Sequence, residues 1–522
     1  MTVEFPPALR RSVSLRRSVS LPFGPTRNRA VTAVLLALAV GASLLSGYGV
    51  VSGQNRLAVL PVVAVVGIAL AVVAFTRFSW FVLLLLTIRS STDALKVSAS
   101  DAGTSAANTV SERGPDPSSI IGVLFLVLAL LWLAATFYEG KPIRASIVTT
   151  MILGYVAAGA LSVVGSNHVQ ASALQLARLM SGVLMFVVLE RLITDRAMLK
   201  RVLIACFAAL IIPLGYTLFG LVTGQASGEV KGGFTRLTGT FTQSNDYARF
   251  LTLLLLLGVA VLPYVSRRVK PFLLGLLALS GVFLLLTLTL GAIGAAFAGI
   301  AVIALIQRRA ALIGLLGAVA MGALIIVPGL IGRITDTAAA SEIGGGPTGN
   351  SLSWRLDFWA SLLTINKDNP ITGVGLNATQ YFTSSAKQPH NDYLSAYIET
   401  GVVGLLMYVG LIVAMLVVAG RAVLRTQRDT LEWGVAVGAV VCVGVYAVMS
   451  VAANVIQSSA NLWYLLAITA CASAAGRFGG RDGEAGDDAG SDEGQARSGN
   501  PLAPQSPGRA RAKRYEPSHA PN

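Results

Sequence analysis

The chain has 522 residues, of which 54% are hydrophobic and only 12% charged, with a formal net charge of +15 and a mean hydropathy of +0.69. Soluble chains carry about 25% charged residues, so a soluble globular class is excluded, and the recurring apolar runs of about 20 residues indicate a polytopic helical membrane protein. The period-2 alternation of a membrane barrel is absent. Much of the positive charge lies in short connections between apolar runs, which is the pattern of membrane orientation and not of nucleic-acid binding.

Residues 1–30 are basic, with Arg10, Arg11, Arg16, Arg17, Arg27 and Arg29. Spans then follow at roughly 31–51, 57–75, 78–90, 120–138, 145–164, 172–193, 199–223, 247–265, 271–290, 291–306, 310–331, 393–419, 433–453 and 459–475. The third is short and the ninth and tenth nearly fuse, so the expected fold is all-α with about 12–14 transmembrane helices. With the N-terminus in the cytoplasm, the inner connections hold Arg77; Lys141 and Arg144; Arg196, Lys200 and Arg201; Arg267, Arg268 and Lys270; Arg308 and Arg309; and Arg421, Arg425 and Arg428. The short outer connections 165–171 and 454–458 hold no Lys or Arg, with Arg56 a lone exception in the first outer loop. Both termini are then expected in the cytoplasm. Cys206, Cys442 and Cys471 lie inside apolar runs and read as small buried hydrophobes.

Three outer segments are long: 91–119, 224–246 and 332–392, the last containing the flexible "SEIGGGPTGN". Residues 31–331 thus carry the first eleven helices, 332–392 a large extracytoplasmic loop, and 393–475 the C-terminal helices. The tail 476–522 has too little apolar content to bury a core and is expected to be disordered and cytoplasmic.

Candidate chemistry concentrates on the outer face. In "LSWRLDFWASLLTI" (352–365), Leu352, Trp354, Phe358, Trp359, Leu362, Leu363 and Ile365 fill one arc of a helical wheel. The segment is too short to span and reads as an interfacial helix, lying on the membrane surface or packed in the loop. Arg355 falls inside that arc, where a guanidinium needs an anion or carbonyls. A phosphate at headgroup depth suits its planar fork, with an ion pair or snorkelling to headgroups as the alternatives. Arg236 lies in a glycine-bounded loop with Gly232, Gly233 and Gly239, which otherwise reads as an ordinary polar loop. Arg178 lies inside a span and is a functional candidate by that position, or one half of an interhelical pair. Arg249, near the outer end of its span, is a secondary candidate or a headgroup anchor. His390 precedes Asn391 and Asp392 just before a span. An imidazole there can exchange a proton near neutral pH, with Asp392 or Glu399 as rival bases. No metal site is expected, since His168 is the only other outer histidine and no ligand cluster accompanies it.

Three blocks in order carry a resemblance: "RLTGTFTQSNDYARF", "SLSWRLDFWASLLTINKDNPITGVGLN" with its arginine, tryptophan, proline and Gly-x-Gly, and "HNDYLSAYIETGVVGLL" with its His-Asn-x-Tyr-Leu followed by Glu and Gly. Over about 233–410 the chain resembles the O-antigen ligase and O-antigen polymerase (Wzy-type) family of membrane proteins. The flanking spans match in hydropathy only. The resemblance implies a glycosyltransferase that moves a glycan from an undecaprenyl-diphosphate carrier to an acceptor hydroxyl at the outer face of the cytoplasmic membrane. It implies Arg355, and more loosely Arg236, on the donor diphosphate, and His390 near the acceptor hydroxyl. The implied partners are a lipid-linked oligosaccharide donor, a glycan, lipid or cell-wall acceptor, and membrane lipids, with no cofactor, no metal and no nucleic acid. The Gly-rich 332–350 has no clear family counterpart. The rival class is a transporter or flippase of lipid-linked glycan, which calls for repeats and polar broken helices at the midplane.

Overall fold

The computed structural model describes residues 67, 69–70, 72–92, 117–140, 146–231, 234–326, 331–332, 352–383 and 388–496. The predicted span 31–51, most of 57–75, the outer segment 93–116, the stretch "SEIGGGPTGN" and residues 497–522 lie outside the described residues. In chain order the helices are α1 (Phe78–Ile88), α2 (Pro117–Tyr138), α3 (Ile147–Val164), α4 (Val169–Leu192), α5 (Arg196–Ala208) and α6 (Ile211–Thr223). A hairpin of β1 (Gly228–Lys231) and β2 (Phe234–Leu237) follows. Then come α7 (Ser244–Val261), α8 (Lys270–Leu286), α9 (Leu290–Ile306), α10 (Ala310–Ile326), α11 (Leu352–Leu363), α12 (Asp392–Arg425), α13 (Leu431–Met449) and α14 (Ser459–Ala496).

Each apolar run predicted from residue 78 onward is helical, and the chain is an all-α, multi-pass membrane protein. Among the described residues, seven helical stretches are long and apolar enough to cross a membrane: α2, α3, α4, α5 with α6, α7, α12 and α13. The apolar helices α1, α8, α9 and α10 are shorter. In lipid a helix satisfies its own backbone, so apolar length alone dictates these elements. The centre is built from helices buried on every side: Tyr247 to Leu257 on α7, Val435 to Val443 on α13 and Leu462 to Ala475 on α14 are all but fully enclosed. Peripheral helices keep apolar side chains outward, such as Phe272 on α8, Leu305 on α9 and Ile325 on α10, which suits contact with lipid tails. All three cysteines are buried and free.

Two expectations change. The outer segment 224–246 is not an ordinary polar loop, because β1 and β2 pair antiparallel with Glu229 opposite Arg236. The tail expected to be disordered from 476 begins as helix: α14 continues past the apolar run to Ala496. Ala, Glu and Arg between its glycines let an already nucleated helix extend at one hydrogen bond per residue.

The predicted loops sort to opposite ends of the bundle. At one end Thr240 donates to the Ser90 carbonyl at 2.8 Å, Asn461 Nδ2 to the Asp246 carbonyl at 3.2 Å, and Asn391 N–H to Asn454 Oδ1 at 3.1 Å. At the other, Arg196 pairs with Glu432 at 2.9 Å, and Gln307 Nε2 donates to the Ala260 carbonyl at 2.8 Å. The arginine-rich connections thus share one end and the Ser-, Thr- and Asn-rich ones the other. This yields a topology test. With the native cysteines buried, an impermeant thiol reagent on intact cells should label Gly345→Cys, while Gln427→Cys reacts only after lysis. The reverse pattern would invert the orientation.

Candidate active site

The His-Asn-Asp segment is fixed by four neighbours. Trp359 of α11 donates its indole N–H to the Pro389 carbonyl at 2.7 Å. Gln388 donates to Asn377 Oδ1 at 2.8 Å and receives Gln457 Nε2 at 3.3 Å. Asn391 caps α12, its side-chain oxygen accepting the Leu394 N–H at 3.1 Å. Asp392 N–H donates to the Ser450 carbonyl at 2.8 Å. His390, held among these bonds, has φ 52°. That left-handed region is uncommon for a residue with a Cβ, and such conformations collect at functional sites. His390 is half-buried.

Helix α11 folds as its wheel predicts on one side. Leu362 is fully buried with Val374, Ala378 and Ile398, and Phe358, Trp359 and Ile365 pack around them. This second, small core joins α11, the Gly-x-Gly loop and the first turns of α12. Leu363, expected on the apolar arc, is half exposed, as is Leu356. The side chain of Arg355 lies outside the described residues; its backbone lies on the first turn of α11, four residues before Trp359.

Helix α12 is broken at Gly401, which has φ 69° and ψ −171°. The carbonyls of the turn before the break accept donors from outside the helix: Asn366 Nδ2 donates to Tyr397 at 2.9 Å, and the N–H groups of Val374 and Gly375 donate to Ile398 and Glu399 at 3.0 Å each. The N–H of Val402, which opens the second part of the helix, donates to the Pro370 carbonyl at 2.9 Å. A Cβ on Gly401 would run into the Ile371 carbonyl, and one on Gly375 into Ser166. Both positions have positive φ and no room, so they are tied to glycine. The proline and Gly-x-Gly of the second block therefore serve the helix of the third block.

The two acids are structural in their contacts. Asp392 is 1% exposed, and its Oδ2 accepts the N–H groups of Val455 and Ile456 at 3.0 and 3.2 Å and the Tyr408 hydroxyl at 3.2 Å. That hydroxyl lies within hydrogen-bond distance of Tyr446 and Ser450. The second oxygen, Oδ1, is buried without a partner among the described residues, as is Ser395 Oγ one turn on. Glu399, also buried, accepts the Thr379 hydroxyl at 3.0 Å.

The arginines disperse. Arg236 is 3% exposed, and its guanidinium donates to the Thr287 carbonyl at 2.9 Å, to Asn245 Oδ1 at 2.8 Å and to the Thr289 hydroxyl at 2.7 Å, with Glu229 at 3.7 Å. It braces the hairpin against α7 and the α8–α9 turn. Arg249 is buried, pairs with Asp246 at 3.1 Å, and acts electrostatically on Asp392. Arg178 is half-buried on α4, where its carbonyl accepts the Ser181 hydroxyl at 2.7 Å. Sequence reasoning missed Ser450, Asn454 and the Asn377–Gln388–Gln457 amides, which are polar residues at helix ends or in loops, and Tyr408, which lies inside α12. Among the described residues no three His, Cys, Asp or Glu side chains cluster to hold a metal ion.

The Asp392 geometry predicts how substitutions behave. Asp392→Asn keeps an oxygen for the Val455 and Ile456 N–H groups and should melt near the native temperature. Asp392→Ala orphans both donors, at about 1–3 kcal/mol each, and should lower thermal stability and disorder the His390 segment. Equal melting temperatures for the Ala variant and the native protein would contradict this role.

No curated protein matches the chain. Residues 274–409 match the family model described as O-antigen ligase. The match begins later than the resemblance read from 233 and leaves out Arg178, Arg236 and Arg249, but takes in α11, the Gly-x-Gly loop, His390, Asp392, Glu399 and the Gly401 break. In that stretch, where α11 and the Gly-x-Gly loop hold the start of α12, the chain is similar to the O-antigen ligase family.

Proposed function

We propose that this protein is an integral-membrane glycosyltransferase of the O-antigen ligase and polymerase type. It moves a glycan from an undecaprenyl-diphosphate donor to an acceptor hydroxyl at the outer face of the cytoplasmic membrane, with both termini in the cytoplasm. The similarity to the family supports a role in glycan assembly. The observation that carries the finer reading is the Trp359–Pro389 hydrogen bond. It ties the helix that carries position 355 to the segment that carries His390.

In this reaction the acceptor oxygen attacks the anomeric carbon, the bond from that carbon to the phosphate oxygen breaks, and the carrier leaves as a diphosphate. His390 takes the acceptor proton. Arg355 offers its fork to the leaving diphosphate, where negative charge builds. Asp392 and Glu399 are buried and committed to backbone and hydroxyl donors, which favours His390 as the base. Arg236 is committed to the protein's own acceptors and serves here as a brace of the outer wall, while Arg178 and Arg249 add positive charge to the outer half of the bundle. The transporter reading has less support. The helix breaks near its outer end, and the carbonyls before the break are bonded to the loop rather than open to a pathway.

Purified protein in lipid nanodiscs, given a lipid-diphosphate-linked glycan and acceptor, tests this. His390→Ala should lose about 10²-fold or more of turnover while donor binding persists. Arg355→Lys should fall markedly, because an ammonium lacks the fork. Transfer should survive a chelator. Near-native transfer by His390→Gln with an unchanged pH profile would remove the base assignment, and full activity in Arg355→Ala would remove that residue from the site. Loss in chelator restored by one metal would overturn the metal-free mechanism.

A further inference from the structure

Just after the Gly-x-Gly loop, a 3-10 helix (Thr379–Phe382) stands on the outer face. Its first residue is held by Glu399, which fixes how it projects. Tyr381 and Phe382 are 38% and 41% exposed. His168, at the head of α4, stacks on the Tyr381 ring at 4.0 Å and 17° and meets Phe382 edge-on at 6.0 Å. Three rings thus form a cluster that the small core beneath does not enclose. The same turn of chain presents Asn377, held at φ 56°. Asn377 Oδ1 begins an amide chain that runs through Gln388, two residues before His390, to Gln457.

Rings and planar amides side by side have a specific chemistry. A sugar offers an apolar C–H face to an aromatic ring and a rim of hydroxyls to amide donors and acceptors. None of Asn377, Tyr381, Phe382, Gln388 and Gln457 is charged, whereas a phosphate calls for the forks of arginine or the charge of lysine. We infer that the His168–Tyr381–Phe382 rings and the Asn377–Gln388–Gln457 amides form a binding subsite for uncharged sugar units of the acceptor glycan. The middle amide, Gln388, precedes by two residues the histidine that receives the acceptor proton in the proposed reaction. The naming of the occupant as acceptor rests on the proposed transfer reaction; the binding of a glycan does not. The competing occupant is the membrane itself, with Tyr381 and Phe382 as headgroup-level anchors.

The test uses the full chain in nanodiscs, without donor lipid, so that no turnover is needed. The probe is a set of fluorescent neutral oligosaccharides released from the envelope of the producing cells. The native protein should bind at least one of them. Tyr381→Ala and Gln457→Ala should each weaken that binding about tenfold, and Tyr381→Phe should restore it to within about twofold. With donor present, the same two losses should appear in the acceptor KM and not in kcat or the donor KM. Gln457→Ala, a partly exposed amide, covers the case in which Tyr381→Ala fails to fold. Absence of binding by the native protein, or native affinity in both variants, would overturn the subsite. So would a Tyr381→Ala effect confined to membrane insertion or melting. If glycan binding follows the prediction while His390→Gln stays active, the subsite stands and the transfer mechanism falls. If binding follows but the acceptor KM does not move, the acceptor assignment is overturned.

Discussion

At Gly401 the helix that begins with the His-Asn-Asp segment stops being helical, close to a membrane where unpaired carbonyls are expensive. The backbone groups around the break bond to one loop, residues 366–375, and that loop comes this close to α12 because Gly373 and Gly401 carry no Cβ. The elements around α11 depend on this join. It sets the direction of the first turns of α12, seats the small core of Leu362, Val374, Ala378 and Ile398 beneath α11, and holds Glu399 against the 3-10 helix. The described residues 352–383 are therefore packed against the bundle and bonded to α12.

A second fixing point lies at Asp392. One carboxylate oxygen gathers two backbone N–H groups from the corner after α13 and a tyrosine hydroxyl from farther along α12. Removing such an acceptor leaves buried donors without partners, so this point and the Gly401 join restrain the stretch 392–401 from both ends. His390 sits immediately outside it in a left-handed conformation that only such restraint would hold. Sequence neighbours of a histidine in this fold thus work as its mounting.

The membrane helices were readable because apolar length is the whole requirement for a span. Helix α11 was readable from its wheel, which put Phe358, Trp359, Leu362 and Ile365 inward, although Leu363 shows that the arc was drawn too wide. The Gly401 break was hidden inside what reads as one long apolar run, since the loop donors that make it tolerable precede it by some thirty residues. The resemblance put Arg236 loosely on the donor diphosphate, while its loop by itself read as an ordinary polar one. Its acceptors, Thr287 and Thr289, come from a different turn about fifty residues away, and the hairpin that orients it depends on the Glu229 pairing. Asp392 read as a rival base for the same reason, because Tyr408, Val455 and Ile456 are invisible from its local sequence.

The central claim is that lipid-linked diphosphate and acceptor meet where α11 and the segment 388–391 are joined through Trp359. A cryo-electron microscopy map of the protein in nanodiscs with bound lipid-diphosphate-linked glycan measures this directly. The account predicts diphosphate density against the first turn of α11 beside Arg355, with the anomeric end of the glycan turned toward His390. Diphosphate density at the arginine-rich opposite end of the bundle, or in a pathway between helices away from α11, would contradict it.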